Sequence, residues 1–125
     1  MARRIRITVG ETTLDATLSD AETADEIWEA LPFEAQASVW GDEIYFEIPV
    51  TMSQTPEARA EVEVGTLAYW PIGHAFCIFY GRTPSSTDDK PRAYSPVNVF
   101  GEVEGDATKL RGTTSGTSVR VTRLE

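Results

Sequence analysis

His74 and Cys77 are the single histidine and the single cysteine of the chain, three positions apart in the aromatic-rich stretch AYWPIGHAFCIFYG, residues 68–81. An imidazole beside a thiol suggests a base with its nucleophile, or two ligands of a metal. Both readings need the side chains to converge, within hydrogen-bond reach in the first case and on a shared ion in the second. On a strand, alternate residues share a face, so His74, Phe76, Ile78 and Tyr80 look one way and Ala75, Cys77 and Phe79 the other. The odd spacing separates the pair, and zinc would want more His or Cys than the chain holds. Cys77 therefore reads as a small buried hydrophobe. His74, just after the turn PIG, reads as a hydrogen-bonded residue at a strand start or as a polar tip reaching a cleft.

Aromatic residues offer a second kind of chemistry. Trp40 and Tyr45 take the alternation opposite to the obvious apolar set of their segments, which turns amphipathic rings toward a cap, a partner or a ligand. Any one of Trp40, Tyr45, Tyr69, Trp70 and Tyr80 can equally pack in a core, and several together can line a cleft. Glu43 and Glu47 flank Tyr45 on one face, a spacing that suits acid and base work and equally suits two solvated carboxylates. With His74 and Arg82 as the nearest polar groups, the candidate ligand-binding set is Trp40, Glu43, Tyr45, Tyr69, Trp70, His74, Tyr80 and Arg82. It contains no catalytic residue, no metal ligand and no cofactor site.

The elements that must position these residues are mostly strands. Ile5, Ile7 and Val9 alternate with Arg4, Arg6 and Thr8, and Leu14, Ala16 and Leu18 repeat the pattern beyond Gly10, which predicts an N-terminal hairpin. The period then changes. Ala24, Ile27, Trp28 and Leu31 fall on one helical face opposite Glu22, Asp25, Glu26 and Glu29, with Ser19 and Glu22 as a capping box and Pro32 as the stop. The acidic quartet lacks the glycine and spaced ligands of a calcium loop and reads as a solvated face. FEAQASVW and EIYFEIPV form a second hairpin around the turn GD. TMSQTPEARAEV is a connection with one helical turn at 56–60. TLAYW and HAFCIFYG are strands, RTPSSTDDKPRAYSP is the longest and most mobile loop, and VNVFGEV and TSVRVTRL are strands around a short helix at DATKLR. Many short strands with one helix and no repeat predict a mainly β fold, a closed antiparallel barrel capped by the helix and short helical turns.

With 125 residues, 41% of them hydrophobic, the chain reads as one globular domain, 1–125. The single Cys excludes an internal disulfide. No apolar run reaches the length of a membrane span and no secretory h-region follows MARRIRITVG, so a cytoplasmic protein that engages no membrane is expected. Twenty acidic against eleven basic residues give a net charge of −9. No basic stripe offsets this, which argues against nucleic acid as a partner. Lys90 and Lys109 are the only lysines, a bias compatible with high salt or with GC-rich coding.

GTLAYWP, HAFCIF and NVFGEVEG resemble, in order and spacing, three strand segments of cyclophilins: G-x-L-A/S-M-A-N, S-Q-F-F-I and V-V-F-G-x-V. The whole pattern is most similar to small cyclophilin-like domains of bacteria and archaea. That resemblance implies an eight-stranded barrel with helices closing its ends, and no established activity. The F-H-R-I-I-P stretch of cyclophilins, which places an arginine near the prolyl nitrogen, corresponds to IYFEIP. The arginine position thus falls on Phe46, the second aromatic of S-Q-F-F-I on Cys77, and the histidine ahead of V-V-F-G near Val97, while VTMSQT offers no glycine pair. The resemblance therefore implies the fold without the isomerase apparatus. Two functions follow as expectations: a non-catalytic module binding a peptide or small ligand in an aromatic cleft, or a weak peptidyl-prolyl isomerase working through backbone donors. The oligomeric state stays open.

Overall fold

Ile5, Ile7 and Val9 face the interior of strand β1 (Arg4–Val9) in the computed structural model, which describes residues 3–124. β2 (Thr12–Leu18) pairs antiparallel with it through a two-residue turn, and Gly10 takes the left-handed φ of 59° that this turn needs. β10 (Ser118–Leu124) lies on the other side of β1, and β3 (Phe33–Gln36) lies beyond β10. From β2 the sheet continues through β9 (Arg92–Val103), β7 (Thr66–Trp70), β8 (Ala75–Phe79) and β5 (Glu43–Glu47) to β4 (Ser38–Val39), and β6 (Arg59–Glu61) joins β9 outside this path. Every strand on the path from β3 to β5 contributes to one inner cluster, so the sheet wraps around it. Ala24 and Ile27 of α1 (Glu22–Ala30) and Leu110 of the 3-10 turn Ala107–Leu110 enter the same cluster as caps.

The expected closed barrel of about eight strands is corrected in two respects. Among the described residues there are ten strands, and their ladder does not close, because β3 and β4 stand at opposite ends of its order. The reason lies in the run FEAQASV, expected as one strand of a hairpin. Only Ala37 separates β3 from β4, and its N–H donates to Thr117 O at 2.8 Å while its carbonyl accepts from Gly116 N–H at 2.8 Å. Consecutive residues of one extended run cannot pair side by side, so the chain itself bridges the seam that a ladder would otherwise close.

Other local expectations change as well. The capping box is not formed: Ala21 is the N-cap, and the Ser19 hydroxyl accepts instead from the Ala21 N–H at 3.2 Å. The expected helical turn at 56–60 is a tight turn followed by β6. The loop expected to run through Pro96 ends earlier, since β9 starts at Arg92. Pro96 is tolerated because the β6–β9 register shifts between Arg59/Val97 and Glu61/Arg92, where no ladder bond from its nitrogen is required.

β6 and the first half of β9 cover part of the outer face of the sheet. Beneath them Val62, Ala68, Ala75, Cys77, Phe79, Ala93 and Val97 form a second cluster. β7 and β8 are thus buried on both faces, which is why TLAY and AFCIF read as continuous apolar runs. Among the described residues, no helix is long and apolar enough to cross a membrane.

Candidate functional site

Trp40 and Glu43 are the two ends of the hairpin turn between β4 and β5. Trp40 N–H donates to Glu43 O at 2.9 Å, and Glu43 N–H donates to Trp40 O at 3.2 Å. Gly41, at φ 61°, fills the first central position of the turn, where a Cβ would come within 2.8 Å of Thr83 Cα. Asp42 N–H donates to Arg82 O and Tyr80 N–H to Asp42 O, so the turn is fastened to the end of β8. The backbone positions from which the indole and the carboxyl group project are thereby fixed relative to one another.

Tyr45, two residues beyond Glu43 on β5, projects from the same outer face opposite Cys77 of β8. Trp70 ends β7, and its indole N–H donates to Ser95 Oγ at 2.7 Å. Tyr94 of β9 stands largely in solvent, 72% exposed. The four rings form a chain of near-perpendicular neighbours. Tyr45 and Trp70 lie 6.3 Å apart at 80°, Trp70 and Tyr94 6.2 Å apart at 77°, and Tyr94 and Trp40 6.1 Å apart at 72°. With Glu43, Ala93 and Val97 they line a cleft of about 190 Å³.

Glu43 is only 6% exposed and takes part in none of the ion pairs among the described residues. Burial pushes its carboxyl up to about 7, opposed in part by the polar thiol of Cys77 nearby. Burial, then the charge of Glu43, drives the Cys77 thiol well above the usual range. Cys77 is therefore a protonated thiol buried in the outer cluster rather than a nucleophile. No group of three His, Cys, Asp or Glu side chains among the described residues is arranged to hold a metal.

Of the candidate residues, the structure brings together Trp40, Glu43, Tyr45 and Trp70. It places the other four elsewhere. Tyr69, between Ala68 and Trp70, points to the opposite face, where its hydroxyl donates to Val50 O at 2.6 Å and accepts from Met52 N–H at 3.3 Å. Tyr80 is in the inner cluster too, its phenol raised to about 12 by burial and by the charges of Asp42 and Glu43. His74 is exposed in the turn before β8, with a left-handed φ of 50°, and Arg82 is exposed beyond β8. Tyr94, Ala93 and Val97 complete the cleft; Ala93 and Tyr94 fall in RTPSSTDDKPRAYSP, which reads as a loop in sequence, and Val97 opens the strand VNVFGEV. The alternation of Ala93, Ser95 and Val97 across Pro96 was the available signal.

A family profile described as cyclophilin-like matches residues 3–122. The chain belongs to the cyclophilin-like family. Its fold is also similar to the solution structure of a hypothetical protein from Archaeoglobus fulgidus, with a TM-score of 0.81 and 38% identity, covering 98% of this chain and 95% of that one. No curated protein matches it. Cys77 and Val97, the positions that the resemblance to cyclophilins sets against a pocket aromatic and near a histidine, both lie in the outer cluster, and Val97 lines the cleft. Phe46, at the arginine position, is in the inner cluster, stacked on Phe76 at 4.9 Å and 16°. A side chain pointing that way does not reach the outer face.

Proposed function

We propose that this domain is a non-catalytic, cytoplasmic binding module that takes a peptide side chain or a small ligand into the cleft walled by Trp40, Tyr45, Trp70 and Tyr94. The observation that carries this reading is the set of four rings held nearly perpendicular around an open space on the outer face. Tyr and Trp provide large, rigid contact area with a polar handle and lose few rotamers on binding. At about 190 Å³ the cleft lies below the roughly 300–1,000 Å³ of pockets for drug-sized molecules, so one side chain or a small headgroup fits it.

Weak prolyl isomerisation is the second reading, favoured by Val97 in the cleft lining, close to where the resemblance to cyclophilins sets their histidine. An isomerase lowers a barrier of ~20 kcal/mol by binding the twisted amide more tightly than the planar one. A cationic donor beside the prolyl nitrogen is one means of doing so, and the side chains lining this cleft include none. A protease-coupled assay on Ala-Pro peptides, at stoichiometric protein and low temperature, is expected to give the uncatalysed rate alone. Acceleration in proportion to protein that survives further purification would make the domain an isomerase.

A further inference from the structure

The cleft assembles two features that attract positive charge and contains no positive charge of its own. Aromatic faces carry the negative part of the ring quadrupole, and successive rings here turn by 72–80°, so they wall the space from several directions. Glu43 at its base is almost wholly buried and unpaired with any cation among the described residues, while no Lys, Arg or His lines the space. Resting on the reading of this cleft as a binding site, we propose that it takes an alkylated ammonium group, enclosed by Trp40, Tyr45, Trp70 and Tyr94 and neutralised by Glu43.

The aromatic and apolar character of most of the lining favours the alkylated form. A bare ammonium brings three N–H donors and a tight hydration shell, whereas the lining offers Glu43 among rings, Ala93 and Val97. A trimethylammonium group has no donor to satisfy and sheds its water more easily. Its methyl groups then fill the apolar part of the cleft while the charge meets the ring faces. The net charge of −9 favours the approach of such a ligand.

Glu43 also gives the site a sense of pH. The groups around it are Cys77 of β8 and Tyr80 just beyond it, Tyr45 on its own strand, Tyr94 of β9 and the neighbouring Asp42, with Arg111 joined to Asp42 at 3.4 Å. Burial first, then nearby carboxylates, keep Cys77 and Tyr80 protonated. Glu43, near 7, is the group that changes charge around neutrality. Binding of a cation therefore strengthens as pH rises through 7 and releases a proton.

The test uses the indole N–H resonances of the three tryptophans, with Trp28 on α1 as internal reference. Choline and its neutral isostere 3,3-dimethylbutan-1-ol are titrated at matched ionic strength, alongside a peptide carrying trimethyllysine and the same peptide with plain lysine. Choline is expected to shift Trp40 and Trp70 saturably and Trp28 not at all, and the isostere to bind about tenfold more weakly or worse. Glu43→Gln is expected to weaken choline about tenfold, to leave the isostere unchanged and to abolish the pH dependence. His74→Asn, outside the cleft, keeps it. A trimethyllysine peptide that outbinds choline assigns the group to a peptide; choline binding at least as well assigns it to a free small molecule. Equal binding of choline and the isostere, or Glu43→Gln without effect, overturns the cation proposal and leaves the aromatic cleft standing as a binding site. If choline leaves Trp40 and Trp70 unmoved while unmodified peptides shift them, the cation proposal falls alone. If nothing shifts them, the binding-module reading falls with it.

Discussion

Trp28 on α1 lies under two guanidinium groups, Arg123 at 4.7 Å and Arg3 at 5.5 Å, and these are paired in turn with Glu29 and Asp25. On the flank formed by the outer face of β1, Arg6 pairs with Asp15 and Arg4 with Glu104, both at 2.8 Å. Ring, cation and carboxylate all come from the chain. In the cleft Trp40, Tyr45, Trp70 and Tyr94 surround Glu43, and among the described residues no cation completes the set. Two glutamates measure the difference. Glu104, exposed and hydrogen-bonded by Arg4 and then Thr17, is held down to about 2, whereas burial lifts Glu43 to about 7. The flank is a self-satisfied surface that contributes to folding. The cleft carries a local cost of the kind that proteins keep where binding requires it.

The largest effect is expected in the outer cluster behind the cleft, where the contrast depends on Glu43 being sealed from water below. Cys77 lies there, 1% exposed, with its Sγ directed at Ala75 O at 3.9 Å. An aromatic disulfide reagent should label it at least about a thousandfold more slowly in native than in denatured protein, because opening must expose β8, central to both clusters. Fast native labelling would mean that solvent reaches beneath Glu43, and the raised proton affinity would lose its cause.

Next in size is the pH dependence that Glu43 imposes on stability. Below 4.5 its carboxyl is protonated in folded and unfolded chains alike and contributes nothing. Between 4.5 and 7 only the unfolded chain ionises, so stability falls as pH rises, and above 7 the loss is complete. At about 1.4 kcal/mol per tenfold change in proton affinity, the full loss is roughly 3 kcal/mol. Glu43→Gln should therefore stabilise the protein at pH 8 by up to that amount, on the order of 10 °C in Tm, and match the parent near pH 4.5. Urea unfolding at both values decides it. An equal gap at both pH values would show that the substitution acts through packing and not through charge.

The two regions also differ in how far the sequence reveals them. The β1–β2 hairpin is plain because polar and apolar residues alternate strictly with one face in water, and the same alternation separates Tyr69 from Trp70, although both were grouped as candidates. The helix face is equally clear, while its cap is not, since Ser19 bonds within the preceding turn. Half of the cleft could be read from the strands because Trp40, Glu43, Tyr45 and Trp70 sit on or beside regular elements. Tyr94 was hidden by Pro96 and the surrounding turn residues, whose loop character holds up to Pro91 and gives way where β6 covers the sheet. Nor does Glu43 in a chain with twenty acidic residues stand out as buried. That follows from a two-residue turn fastened to β8 and from rings brought together across three other strands, contacts that no local period encodes.

The smallest effect is expected on the flank, and its sign is opposite. Glu104 accepts two hydrogen bonds from Arg4, both at 2.8 Å, and one from Thr17 at 2.7 Å. Its folded carboxyl ionises far more readily than in the unfolded chain, so its contribution is present above about 4.5 and disappears as pH falls through 2. The group is exposed, and such pairs are weakened by water and salt. Glu104→Gln should lower the melting midpoint slightly at pH 7, and the deficit should shrink both toward pH 2 and as sodium chloride is raised to about 0.5 M, where the screening length approaches the pair distance. Melting curves of parent and variant across those two series test it. A deficit that persists unchanged in salt would assign the contribution to the bidentate geometry and the Thr17 hydrogen bond. A loss matching the gain from Glu43→Gln would erase the contrast between a satisfied flank and an unsatisfied cleft, because pairing at the surface would then count for as much as burial without a partner.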